Sequence, residues 1–204
     1  MIYTEDELNT IKQAISEGGD IWNNKILTPL KRKIKDYYRK KGKEQCCYCK
    51  RDFENEFNMI IDIEHILPKS HLLFKDYMFE IKNLNISCKR CNMNIKKDRT
   101  DFIVDISTIK PDYHISNKYH FIHPNFDSYF EHISYNIHII DDKKLIKYIT
   151  KTEKGNYTYK YFLLDKIEID TLSTAQGVKS NNIELNPDLP AEIKFNLESL
   201  LNQL

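Results

Sequence analysis

Two short stretches decide the fold, Cys46-Cys47-Tyr48-Cys49 and Cys88-Lys89-Arg90-Cys91. In each, two ligand cysteines are separated by two residues, a spacing at which one backbone turn presents both sulfurs to a tetrahedral ion. We predict one closed site made by Cys46, Cys49, Cys88 and Cys91, in which a zinc ion joins two chain segments and takes no part in catalysis. The other reading, a redox-active Cys-x-x-Cys, is less favoured because the motif occurs twice. Cys47 is expected to remain outside the metal site.

A long insert separates the two cysteine pairs, and the residues suited to chemistry lie within it. Asp62-Ile63-Glu64-His65-Ile66-Leu67-Pro68 follows an apolar run. If Glu64 and His65 lie on a strand or at its margin, their side chains point opposite ways, so one addresses a metal and the other a water. Residues 83–87 predict a second short strand, which leads into the second cysteine pair and a helix.

The order of these elements resembles the HNH nuclease family, in its four-cysteine branch. The shared pattern is a cysteine knuckle, an acid before histidine, an Ile-x-Pro stretch, Asn-Leu, and a second knuckle followed by Asn and a nearby Lys. The resemblance implies an α+β fold with a ββα-metal core stapled by the zinc site. It also implies a DNA endonuclease whose products carry 5′-phosphate and 3′-hydroxyl ends.

Roles for individual residues follow from the same resemblance. Glu64 and Asn92 would hold a catalytic Mg²⁺ or Mn²⁺, His65 would be the general base, and Asn83 would orient the His65 loop. Asn94 stays open as the second metal ligand. These residue types fit the reaction, because histidine titrates near neutral pH and a hard cation prefers carboxylate and amide oxygens.

Basic residues are concentrated just before and within the insert. Residues 31–51 contain ten Lys or Arg against two acids, which favours contact with phosphates. A solvated helix face is the alternative interpretation for this charge run. The predicted nucleic-acid contacts are Lys31, Arg32, Lys35, Arg39, Lys69, Lys96, Lys97 and Arg99.

The rest of the chain predicts three regions: a basic helical lead-in at 1–45, the nuclease core at 46–100, and an α+β extension at 101–204. Thr4 and Glu7 have capping-box spacing at the start of a first helix that Gly18-Gly19 ends, and Thr28-Pro29 begins a second over 29–41. Strands are predicted near 133–139, 143–151 and 157–164, with a short helix over 191–204. His123, Asp127 and His132 could form a second polar cluster near the site, but the sequence favours their interpretation as ordinary packing or surface residues.

Composition and the flanking regions bear on the setting of the protein. The chain is 30% charged, with a mean hydropathy of -0.59, and no apolar run is long enough to span a bilayer, so we expect a cytoplasmic protein that contacts no membrane. The arrangement of the flanks is similar to the nuclease subunit of Septu-type anti-phage defence systems, including those attached to retrons. That likeness implies a partner ATPase, for which the acidic C-terminal region offers a docking surface.

Two other functions remain open from the sequence. One is a zinc-organised nucleic-acid-binding or adaptor protein that does not cleave. The other is a stand-alone restriction or homing nuclease of HNH type, which would give discrete fragments from a defined sequence.

Overall fold

The computed structural model describes residues 1–141 and 143–170, with only the backbone of residue 170. The chain is an α+β protein with two small antiparallel sheets in the described part. The α-helices are α1 (Glu5–Glu17), α2 (Thr28–Lys41), α3 (Ile109–Asp112), α4 (Tyr129–His132) and α5 (Glu153–Tyr161). The strands are β1 (Ile61–His65), β2 (Leu84–Cys88), β3 (Ile133–Ile140), β4 (Lys143–Thr150) and β5 (Ile169–Asp170). The predicted helix over 191–204 lies outside the described residues.

Helix α1 begins and ends where its sequence predicts. The Thr4 hydroxyl accepts from the Glu7 backbone N–H, and the Glu7 carboxylate accepts from the Thr4 N–H, so the capping box is complete. Gly18 ends the helix with a φ of 71°, a backbone conformation that favours glycine.

Helix α2 carries an apolar stripe that packs across β1 and β2. Leu30, Ile34 and Tyr38 form its buried face. The predicted cap at Thr28 is wrong by one position: Thr28 is the first helical residue, and the capping position falls on Leu27 without a side-chain hydrogen bond. The missing cap costs little because the buried face, not the terminus, holds this helix in place.

Strands β1 and β2 pair antiparallel and position the central residues of the insert. Ile61 lies opposite Cys88 and His65 lies opposite Leu84. All five residues of β2 are buried. A seven-residue π-helix, Arg90–Lys96, follows β2 directly and ends at Lys97, whose φ is 52°. The order strand, strand, helix is therefore present in this region.

The predicted strand over 157–164 is wrong, because this segment lies mostly in α5. The Thr152 hydroxyl caps α5 by accepting from the Gly155 backbone N–H. Thr158 and Tyr161 are buried on one face of the helix. Tyrosine and threonine occur in both strands and helices, so tertiary burial decided the conformation here.

The described residues divide into two units, residues 1–136 with 147–168, and residues 137–141 and 143–146 with 169–170. Every residue discussed below as part of a cavity or metal site belongs to the first unit. The predicted three-part division at 45 and 100 stays a prediction. Among the described residues, no helix is long and apolar enough to cross a membrane.

Candidate functional site

Four buried cysteines form a cluster that could hold a metal ion. The sulfurs of Cys46, Cys49, Cys88 and Cys91 all lie within 4.8 Å of one another. A tetrahedral zinc ion with Zn–S bonds of about 2.3 Å requires sulfurs about 3.8 Å apart. The Cys49 and Cys88 sulfurs are 3.7 Å apart, so the donor set fits a structural zinc ion.

The first cysteine pair lies in a tight turn tied to the second strand. The Lys50 N–H donates to the Cys46 carbonyl, and Lys50 itself has a φ of 56°. The Cys47 N–H donates to the Ile86 carbonyl of β2, and the Cys88 N–H points to the Cys46 sulfur at 3.4 Å. The turn is therefore held against β2 by its backbone. Burial raises the pKa of the Cys47 thiol, and Cys47 is not among the four clustered cysteines.

Glu64 lies in the core and is fully committed to structural contacts. It is 0% exposed, and its carboxylate forms an ion pair of 2.8 Å with the Lys96 ammonium. It also accepts hydrogen bonds from the Tyr48 hydroxyl at 3.2 Å and the Ser87 hydroxyl at 3.4 Å. Burial raises the pKa of Glu64, and Lys96 and Tyr48 offset part of that rise. Glu64 thus links the first cysteine turn, both strands and the π-helix.

Lys96 does not lie on a nucleic-acid-facing surface, contrary to the prediction. Its side chain is 1% exposed, and besides Glu64 it donates to the His65 carbonyl at 2.8 Å. A lysine this deeply buried cannot reach a phosphate. The prediction placed Lys96 on the surface because the sequence alone does not reveal that Glu64 is its buried partner.

His65 lies at the end of β1 and lines an open cavity of about 840 Å³. Its Nε2 lies 3.1 Å from the Met78 carbonyl, so Nε2 carries the hydrogen and Nδ1 is left as the acceptor. The Trp22 ring packs edge-on against the imidazole with ring centres 4.3 Å apart. Burial, with the positive charges of Lys69 and Lys96, lowers the pKa of His65 to about 3, so the ring is neutral at pH 7.

The same cavity is lined by six basic side chains and two acidic ones, Asp62 and Asp98. This excess of positive charge suits a polyanion. The basic residues are Lys31, Arg32, Lys35, Lys69, Lys89 and Lys97, of which only Lys89 was not predicted to contact nucleic acid.

Asp62 and Asn92 meet at this cavity, and Glu64 does not line it. The Asn92 amide donates to the Asp62 carboxylate at 3.1 Å, and Lys89 forms an ion pair with the same carboxylate at 2.9 Å. Asn92 lines the cavity, whereas Asn94 is exposed and lines no part of it. Asp62, Lys89 and Trp22 were given no role from the sequence. Asp62 could have been found as a second acid in the same short stretch as His65.

Asn83 is buried and ties down the loop that follows His65. Its side-chain oxygen accepts from the Leu67 N–H at 2.7 Å, and its amide donates to the Leu67 and Tyr77 carbonyls. Both ends of the amide are therefore satisfied by backbone groups of this loop.

Besides Lys96, two predicted contacts lie outside the cavity. Arg39 pairs with Glu44 at 2.6 Å and donates to Asn58 and to the Phe53 carbonyl. Arg99 pairs with Asp101 and lies over the Tyr161 ring. Both guanidinium groups are occupied by the protein itself.

Comparison with family models, with curated proteins and with solved structures finds no match to this chain. The cysteine cluster and the His65 cavity are therefore interpreted from their own geometry.

Proposed function

We propose that this protein is a metal-dependent endonuclease of HNH type that hydrolyses DNA phosphodiester bonds. The observation that carries the proposal is the position of His65 in a cavity lined by six basic side chains. Its imidazole is buried and neutral, and its Nδ1 has no hydrogen-bond partner among the described residues. The cysteine cluster supports it by fixing the segments before and after β1 and β2.

His65 acts as the general base. Because the Met78 carbonyl holds the hydrogen of Nε2, the Nδ1 nitrogen takes the proton from an attacking water. A pKa of about 3 makes the ring a weak base in the free protein. A bound phosphate would neutralise part of the charge of Lys69 and raise this pKa toward the working range.

The catalytic cation belongs at Asp62 and Asn92 in this proposal, in place of the Glu64 and Asn92 pair predicted from the sequence. Asp62 and Asn92 bring a carboxylate and a side-chain amide to one cavity, and Mg²⁺ or Mn²⁺ prefers carboxylate and amide oxygens. The Asn92 amide nitrogen donates to Asp62, so the amide would turn its oxygen toward a bound cation. Once bound, such a cation supplies charge stabilisation for the phosphate. Glu64 is excluded from this role because its carboxylate is fully buried against Lys96 and does not line the cavity, whereas Asp62 lines the cavity and pairs with the half-exposed Lys89.

Basic side chains around His65 hold the DNA backbone. Lys31, Lys69 and Lys97 lie on different segments that all line the cavity, so together they offer several contacts to phosphates near the cleaved bond. Such contacts make binding weaken steeply with salt.

Plasmid cleavage tests the general-base assignment. We expect His65→Ala to abolish metal-dependent cleavage with Mg²⁺ or Mn²⁺, while His138→Ala, which changes an exposed histidine of β3, leaves it intact. Cleavage at the same rate in both variants would refute the assignment. Salt-sensitive DNA binding without any cleavage would instead favour the zinc-organised binding protein.

The single tryptophan offers a direct test of the cation site. Trp22 lines the same cavity as Asp62, so bound Mn²⁺ should quench its fluorescence. We expect Asp62→Asn to remove this quenching and Asp98→Asn, the same change elsewhere in the cavity, to retain it. Equal quenching in both variants would place the cation elsewhere.

We also propose that the nuclease acts as the effector of an anti-phage defence complex together with a partner ATPase. The proposal is supported by the resemblance of the flanking sequence to Septu-type nuclease subunits. Cleavage assays with and without the product of a neighbouring ATPase gene test it, and identical rates together with no co-purification would count against it.

A further inference from the structure

A second cavity, of about 310 Å³, shares no lining residue with the His65 cavity. It lies where the end of α2, the first cysteine turn and residues 122–130 meet. We call it the lysine cavity, because Lys41, Lys43 and Lys50 all line it. Nothing in the nuclease proposal uses these three ammonium groups.

Lys50 is the most unusual of the three. Its ammonium lies 4.2 Å from the Tyr129 ring centre and 5.8 Å from that of Phe130. Within residues 1–141 and 143–170, it has no hydrogen-bond acceptor and no ion pair. An ammonium packed against two aromatic rings without an acceptor suits an anion supplied from outside the chain.

Other groups around the cavity favour the same kind of ligand. Asp127 is its one acidic lining residue, and Lys154 already neutralises that carboxylate at 2.7 Å. The Tyr129 hydroxyl is buried and has no partner in the described part of the chain. Lys43 is exposed on the same rim, at a φ of 53°. The lining therefore offers several donors and no free acceptor charge.

An aromatic surface accompanies these donors. The Phe130 ring is 54% exposed although it lines the cavity, and the ring of Tyr129 packs against it edge-on. An exposed aromatic face next to ammonium groups is the combination that binds a base and its phosphate together.

We propose that the lysine cavity binds a nucleoside phosphate, with the phosphate held by Lys43 and Lys50 and the base stacked on Phe130. The ligand arrives either as a free nucleotide or as the phosphorylated end of a nucleic acid strand. A role for Lys50 limited to balancing the charge of the cysteine cluster explains neither Lys43 nor the exposed ring of Phe130.

Equilibrium dialysis of the full zinc-loaded chain, without added magnesium, tests the proposal with AMP and inorganic phosphate as probes. We expect AMP to bind more tightly than phosphate, and Lys43→Gln and Lys50→Gln each to weaken AMP binding about tenfold, the effect of one lost charged hydrogen bond. The matched control is Lys12→Gln, which removes the same charge from an exposed position of α1, a helix that contributes no residue to this cavity.

The source of the ligand is distinguished by a second pair of probes, an oligonucleotide with and without a 5′-phosphate. If the phosphorylated strand binds more tightly and this difference depends on Lys43, the ligand is the end of a nucleic acid strand. If AMP binds, the ligand is a free nucleotide. Unchanged AMP binding in Lys43→Gln and Lys50→Gln, equal weakening in Lys12→Gln, or no binding of any probe would overturn it. The His65→Ala variant should bind as the wild type does, so failure of the nuclease proposal and failure of this one are separable.

Discussion

Replacing Glu64 with Gln separates a structural role for this residue from a metal-binding one. The substitution keeps the shape of the side chain and removes its charge, leaving the Lys96 ammonium buried without a counter-charge. Lys96 is 1% exposed and Glu64 is fully buried, so water cannot compensate for the loss.

The magnitude follows from that burial. Removing one partner of a buried ion pair costs about 3–5 kcal/mol of unfolding free energy. For a chain of this size, each kcal/mol corresponds to about 2–4 °C in Tm, so we expect Tm to fall by roughly 6–20 °C. Asp62→Asn is the contrasting variant, because its partner Lys89 is 48% exposed and such pairs contribute about 0–1 kcal/mol.

Thermal and urea denaturation of both variants, combined with plasmid cleavage below the lower Tm, measure the two roles independently. We expect Glu64→Gln to lose stability and Asp62→Asn to lose cleavage while remaining nearly as stable as the wild type. The opposite result, with Glu64→Gln stable but inactive and Asp62→Asn active, would refute the assignment of the cation to Asp62 and restore the prediction made from the sequence.

Three further predictions concern the metal cluster, pH and packing. Metal analysis of the purified protein should find one zinc ion per chain. Cys91→Ser should lose both the ion and the fold, whereas Cys47→Ser should retain both, with the fold followed by circular dichroism. Burial lowers the pKa of His65 and of His123 to about 3. The free energy of unfolding should therefore be highest above about pH 6.5 and fall on acidification by roughly 1.4 kcal/mol per pH unit for each histidine. In urea titrations at several pH values, His65→Asn should show a weaker dependence of this free energy on pH. Gly155→Ala should destabilise the protein by about 1–3 kcal/mol, because a methyl group there would lie 2.2 Å from the His132 carbonyl oxygen, and an unchanged Tm would contradict this packing.

Local sequence signals were sufficient for several elements. The capping box and glycine pair fixed the ends of α1, and the apolar spacing of Leu30, Ile34 and Tyr38 identified α2. The helix with Tyr157 and Tyr161 was predicted wrongly as a strand because aromatic residues suit both a pleated sheet and a helix face, so the choice depends on neighbours distant in the sequence.

In the candidate site, too, some features followed from local sequence and others depended on distant contacts. The spacing of Cys46, Cys49, Cys88 and Cys91 was enough to predict the cluster, since two residues between cysteines constrain both sulfurs within one turn. Sequence alternation also placed Glu64 and His65 on different sides of a strand. It could not show which side was the core, because that depends on the packing of α2 and the π-helix against β1.

The sequence by itself therefore predicted the cysteine cluster, the histidine beside an acid, and the basic character of the lead-in. Only the tertiary structure decided which acid remains available. Glu64 is neutralised by Lys96 of the π-helix, which also donates to the carbonyl of His65, 31 positions earlier in the chain. Asp62, by contrast, meets Asn92 at the cavity. Long-range pairing of charges sets the cost of burying them, and no local pattern encodes that pairing.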